Sequence, residues 1–211
     1  GGDYVDIIPA PGGDAHRLLF AIGDVSGHGI GPALLMASAR GALRAMSLGR
    51  HELDDRAERP NRLVADDAAD SGHFMTLFMA ELNTSDGTLQ WLRAGHDPAV
   101  LYDPELDALS ELKGAGIALG VDEQFQFVEN KRAELREGQI ILLGTDGIWE
   151  ARNSQGQMFG KESMVTVLKQ NKAGDADQIL EGIYQALSDF QQGAVVEDDV
   201  TLIVIKITKG F

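Results

Sequence analysis

Acidic residues stand at four places where an apolar run meets a turn: Asp3 with Asp6 near the start, Asp24 after residues 18–22, Asp146 after residues 139–143, and Asp198 with Asp199 just before residues 200–205. A lone Asp among turn glycines is ordinarily a solvated turn residue. Here the device recurs: Gly23-Asp24-Val25 is echoed by Gly144-Thr145-Asp146-Gly147, each at the end of an apolar run. An acid inside a short apolar strand is costly unless it is paired or metal-bound, which makes Asp3 or Asp6 a further candidate. Strand ends remote in sequence can converge at one sheet edge, where carboxylates and bare carbonyls form an all-oxygen site. Such donors select hard cations, Mg²⁺ or Mn²⁺, over zinc. Two such ions a few ångströms apart bind an anionic substrate and activate water, chemistry suited to phosphate-ester hydrolysis.

Composition narrows the alternatives. The chain has 211 residues, 44% hydrophobic and 24% charged, the balance of a globular protein and most simply of one domain. It has no cysteine, which excludes disulfides, thiolate metal sites and a cysteine nucleophile and fits a reducing cytoplasm. The formal net charge of -15 repels nucleic acid and anionic membrane, although a surface kept soluble by Asp and Glu accounts for most of that charge. No apolar run reaches the length of a membrane span, and no signal pattern opens the chain.

The elements that must position these acids are read from periodicity. Residues 1–9 and 18–22 read as two strands of a hairpin turning at Pro11-Gly12-Gly13-Asp14. Residues 30–48 read as a helix with Pro32 near its start and a small-residue, apolar surface. Residues 49–70 are polar and acidic, with Pro60 and a helical fragment at 61–65; they carry no assignable chemistry and read as a mobile connection or a partner contact. Strands follow at 74–82 and 88–93 around an Asp86-Gly87 turn, then at 99–102, 110–112, 124–129 and 139–143. His96, beside Asp97, is a metal ligand or proton shuttle on one reading and a hydrogen-bonded turn histidine on the commoner one. A polar loop at 150–160 precedes helices at 161–170 and 175–191, and an apolar strand closes the chain.

The ordered motifs Gly1-Gly2-Asp3-Tyr4-Val5-Asp6, Gly23-Asp24-Val25-Ser26-Gly27-His28-Gly29, Ala94-Gly95-His96-Asp97-Pro98, Leu119-Gly120, Thr145-Asp146-Gly147-Ile148-Trp149-Glu150 and Asp198-Asp199-Val200-Thr201-Leu202 resemble those of metal-dependent serine/threonine phosphatases of the protein phosphatase 2C superfamily. The similarity spans residues 1–208 and is greatest to the bacterial branch of sporulation and stress-response sigma-factor regulators. It implies an α+β fold: two packed antiparallel β-sheets, a β-sandwich flanked by α-helices on both sides, with a dinuclear metal site at one edge. It implies two ions, Mn²⁺ or Mg²⁺. Asp24 would bridge them, the Val25 carbonyl would complete one shell, and Asp3, Asp146 and Asp198 would ligate, with Asp199 behind Asp198 and Asp3 set before Asp6. Metal-activated water would attack phosphorus directly. The eukaryotic branch has His where this chain has Ser26, so the proton donor is His28, a metal-bound water, or none. An arginine before the first acid, which binds phosphate in that branch, has no assignable counterpart, since the sequence starts there.

The implied substrate is a phosphoserine or phosphothreonine on an anti-anti-sigma factor. Residues 1–211 would be a single phosphatase domain, the C-terminal catalytic part of a longer sensor or response-regulator protein in a cytoplasmic signalling pathway. An upstream regulatory domain would control it, with a homodimer contact near the helix at 30–48. Two other classes compete: a catalytically degenerate phosphatase fold that recruits a signalling partner, and a metal-dependent phosphodiesterase acting on nucleotides. The matched acids are all present, which disfavours the first. The acidic surface and the lack of a basic phosphate-cradling loop disfavour the second.

Overall fold

The computed structural model describes residues 1–9, 16–47, 53–194, 196 and 198–208. The expected turn at Pro11-Gly12-Gly13-Asp14 and residue Leu48 lie outside the described residues. The chain forms two compact units, Gly1–Pro98 with Leu112–Arg136, and Ala99–Glu111 with Glu137–Lys209.

The first unit is an antiparallel sheet with two helices. Its strands are β1 (Tyr4–Pro9), β2 (Arg17–Val25), β3 (Met75–Asn83), β4 (Thr88–Ala94) and β7 (Asn130–Arg132), in the order β1-β2-β3-β4-β7. The helices are α1 (Ile30–Ser47) and α2 (Leu53–Ala68). Alternation decides the packing. Tyr4, Leu19, Ala21, Val25, Leu77 and Met79 point to one face and form a core with Leu35, Ala39 and Leu43 of α1 and Ala57 and Val64 of α2.

Two expectations need correction here. The polar stretch 49–70 contains a sixteen-residue helix, α2, in which Leu53, Ala57, Asn61, Val64 and Ala68 form one buried stripe at helical spacing. Acidic residues on its other face dilute the apolar signal, and Pro60 lies inside it. Residues 124–129 form no strand. Phe125 and Phe127 instead meet edge to face with ring centres 5.0 Å apart and pack into the first core. Asp122 opens that segment with a turn, its carbonyl accepting from Phe125 N at 3.1 Å and its carboxylate from Gln124 N at 3.0 Å.

The second unit holds the sheet β6-β5-β8-β9, all of whose described strand pairs are antiparallel. Its strands are β5 (Ala99–Asp103), β6 (Ala108–Leu112), β8 (Ile140–Gly144) and β9 (Leu202–Lys206). Helices α4 (Lys161–Asn171) and α5 (Ala176–Gln191) contribute Met164, Leu168, Ile179, Ile183 and Leu187, four residues apart within each helix, to a core with Tyr102, Ile140 and Leu142. A capping box starts α5: Asp175 accepts from Gln178 N at 2.8 Å and Gln178 Oε1 from Asp175 N at 2.9 Å. A short helix α3 (Asp146–Trp149) stands where the sequence reads only a glycine turn. Among the described residues no helix is long and apolar enough to cross a membrane.

Candidate metal centre

Asp3 and Asp24 are brought face to face by strand register. Tyr4 pairs with Gly23, and Val25 N donates to Gly2 O at 3.3 Å, so the ladder continues and sets Asp3 directly opposite Asp24. Directly opposite residues share a face, and two carboxylates so placed repel unless a cation lies between them. Gly2 supplies the space. A Cβ there would lie 2.7 Å from Val25 O and 2.9 Å from Asp24 Oδ1, so only glycine leaves the carbonyl and the carboxylate side by side.

Asp6 has different work. It is three residues from Asp3 and therefore on the other face of β1. Only 7% exposed, it accepts from Arg44 Nε at 2.6 Å and Arg44 Nη2 at 2.7 Å, and from the Tyr4 hydroxyl at 3.3 Å. The Arg44 guanidinium holds the Asp6 carboxyl below the usual carboxylate range. Burial, with the Asp6 charge beside it, pushes the Tyr4 phenol far above its ordinary value. Asp6 thus clamps β1 to α1, and Asp3 is the member of the pair left on the Asp24 face.

The second unit gathers the other acids. Thr145 N donates to Thr201 O at 3.0 Å and Thr201 N to Thr145 Oγ1 at 3.2 Å, tying the end of β8 to the approach to β9. The Asp146 and Asp198-Asp199 segments therefore run side by side. Gly147 is where they touch: a Cβ on it would lie 2.0 Å from Asp199 O. Asp198 accepts from Asp199 N at 2.8 Å, and the Tyr184 hydroxyl of α5 donates to Val200 O at 3.3 Å. A cavity of about 290 Å³ lies beside Asp198, lined also by Gly147, Glu150, Arg152 and Gln191.

The candidate ligands form two sets, Asp3, Asp24 and Val25 O on the first unit and Asp146, Asp198 and Asp199 on the second. Among the described residues no group of three or more His, Asp or Glu side chains is gathered as a metal cluster. The donor set still fits hard cations: it is all oxygen, and glycines at 2 and 147 keep backbone oxygens close to it.

His28 is exposed on the loop before α1, and among the described residues it makes no hydrogen bond or ion pair. Sequence reasoning passed over His73, whose Nδ1 lies 3.4 Å from Ser26 Oγ. It also missed Thr76, opposite Asp24 on β3 and hydrogen-bonded to both the Asp24 backbone and His96. Its only sequence signal was a hydroxyl within the apolar run of residues 75–80. His96 is 5% exposed, the hydrogen-bonded turn histidine of the plainer reading.

The sequence profile of the family "Stage II sporulation protein E (SpoIIE)" matches residues 14–208. The chain belongs to this family. It is similar to the phosphoserine phosphatase RsbU of Bacillus subtilis, 26% identical over 208 residues, covering 97% of this chain and 59% of RsbU. The chain thus spans less than two thirds of that relative's length. Among solved structures, the SiaA-PP2C domain of Pseudomonas aeruginosa superposes with a TM-score of 0.83 at 20% identity, over 98% of this chain and 80% of that one. RsbX in complex with magnesium superposes with a TM-score of 0.69 at 16% identity, over 96% of this chain and 85% of that one. The fold of this SpoIIE-family chain is accordingly that of the protein phosphatase 2C type, as its motifs imply.

Proposed function

We propose that this chain is the catalytic part of a Mn²⁺- or Mg²⁺-dependent phosphoserine/phosphothreonine protein phosphatase. The observation that carries the reading is the double pairing of acids: Asp3 opposite Asp24, and Asp146 beside Asp198-Asp199, each crowded by a glycine that tolerates no side chain. Family membership and the likeness to RsbU support it. The magnesium complex of RsbX supports the choice of cation.

On this reading Asp24, the Val25 carbonyl, Asp3, Asp146 and Asp198 would hold the metal ions, with Asp199 supporting Asp198. The ions, when bound, would orient the phosphate and lower the pKa of water so that it attacks phosphorus. The chain's own contribution is placement: the β1–β2 register holds Asp3 and Asp24, and the Thr145–Thr201 bonds hold Asp146 and Asp198. Proton delivery to the leaving oxygen would fall to His28, to water held by the ions, or to no group, and a pH–rate profile of His28→Ala tests the first. The substrate class is a phosphorylated protein of the anti-anti-sigma type. A longer chain with an upstream regulatory domain, a homodimer contact at α1 and a cytoplasmic location belong to the same proposal.

The test is phosphate release from a phosphoserine protein and from an aryl phosphate, with Mn²⁺, Mg²⁺ or chelator, for wild type and Asp146→Asn. Metal-dependent turnover lost in Asp146→Asn is expected. No turnover with any metal, together with no metal binding by calorimetry, would favour the degenerate binding module.

A further inference from the structure

Asp24 does not stand alone in its register row. On β3 its direct partner is Thr76, so Asp3, Asp24 and Thr76 follow one another across three strands on one face. Past Thr76 comes the turn after β4. It carries His96, whose Nδ1 lies 2.9 Å from Thr76 Oγ1. This turn is well held. Gly95 adopts φ +72 with Ala118 N 2.7 Å from where a Cβ would stand, and Arg93 bonds both His96 O and, at 3.1 Å, Gly114 O.

The hydroxyl of Thr76 has three partners. Asp24 N lies 3.3 Å from it, Asp24 O 3.3 Å, and His96 Nδ1 2.9 Å. A threonine hydroxyl has one hydrogen and two lone pairs. The amide can only donate to it, which takes one lone pair. The carbonyl can only accept, which takes the hydrogen. With the hydrogen so assigned, one lone pair remains for His96 Nδ1, and that nitrogen then carries a hydrogen. Were Nδ1 bare, the Thr76 hydrogen would turn to it and Asp24 O would lose this partner. The two Asp24 groups belong to the peptide planes on either side of its Cα, so holding both fixes the direction in which the carboxylate leaves the strand.

From this we infer that Thr76 and His96 are positioning residues for Asp24: His96, protonated on Nδ1, donates to Thr76, which in turn clamps both peptides flanking the Asp24 carboxylate. The role rests on the reading of Asp24 as a cation ligand. Partners one step behind a metal ligand typically change metal affinity about 10–100-fold when removed.

The experiment has two independent readouts. In the metal-free protein, nitrogen-15 spectra of the histidine rings should place the His96 hydrogen on Nδ1. In calorimetry, Thr76→Val, which removes the hydroxyl and keeps the shape, should bind Mn²⁺ about tenfold more weakly or worse, whereas Thr76→Ser should bind as wild type does. Melting curves verify that each variant folds. If Thr76→Val does not fold, His96→Asn and His96→Leu take its place, because an Asn amide can donate from the Nδ1 position and Leu cannot. Near-normal binding by His96→Asn and weak binding by His96→Leu are then expected. A His96 hydrogen found on Nε2 alone, or Mn²⁺ binding by Thr76→Val (or His96→Leu in its place) equal to wild type, would overturn the inference. If the wild type binds no ion, the reading of Asp24 as a ligand fails and this role with it, while the ring spectra still decide the hydrogen-bond pattern.

Discussion

Gly147 shows how tightly single atoms are placed around the candidate ligands. Adding one methyl would bring a carbon 2.0 Å from Asp199 O, a contact that only movement of the backbone can relieve. Gly147→Ala should therefore shift Asp198 and Asp199 and weaken Mn²⁺ binding about tenfold or more while the chain still folds, as calorimetry and circular dichroism would show. Asp6 carries a different prediction. Arg44 holds its carboxyl low, so the ion pair adds stability above the unfolded carboxylate value and loses it as pH falls through the lowered folded value. Asp6→Asn should melt lower than wild type at neutral pH, and the gap should close below about pH 4, the ordinary Asp range. A gap that stayed constant into acid would contradict this. Asp24 and Asp146 were legible in the sequence because an apolar run followed by glycine marks a strand end. The division of labour between Asp3 and Asp6 was not. It depends on which face of β1 meets α1, and Arg44 lies 38 positions from Asp6.

Among the elements, α2 departs furthest from its sequence pattern. Its buried stripe, Leu53, Ala57, Asn61, Val64 and Ala68, has helical spacing, but the acids around it and Pro60 within it give the segment the look of a connection. Polar contacts seat it beside that stripe. Arg56, only 3% exposed, donates to Glu81 Oε2 of β3 at 2.9 Å, and Arg17 of β2 pairs with the same carboxylate. The Asn61 side chain donates to Asp122 O and accepts from Gly120 N, both at 2.8 Å, holding the Leu119-Gly120 loop. These partners lie 25 to 61 positions away, and no local pattern announces them. Glu81→Ala would leave the Arg56 charge buried without its partner, costing about 3 kcal/mol or more. Urea unfolding measures this, and a change within experimental scatter would show that the pair does not seat α2. The two terminal helices were legible for the opposite reason: α4 and α5 bury Met164, Leu168, Ile179, Ile183 and Leu187 at regular spacing, and their partners are apolar.

For the whole molecule, the order of motifs across residues 23–202 was the most legible feature, since the SpoIIE family profile matches residues 14–208. The net charge of -15 repels nucleic acid, and a surface kept soluble by Asp and Glu accounts for most of it. The proposed function rests on whether Asp24 and Asp146 each serve a metal-dependent reaction. The measurement that decides this is phosphate release from a phosphoserine-bearing protein, followed with Mn²⁺, with Mg²⁺ and with chelator for wild type, Asp24→Asn and Asp146→Asn. Turnover should require the metal and fall on the order of a hundredfold or more in each variant, because on the proposed reading each removes a metal ligand. Turnover that survives the chelator, or full activity in Asp146→Asn, would contradict a metal-dependent phosphatase.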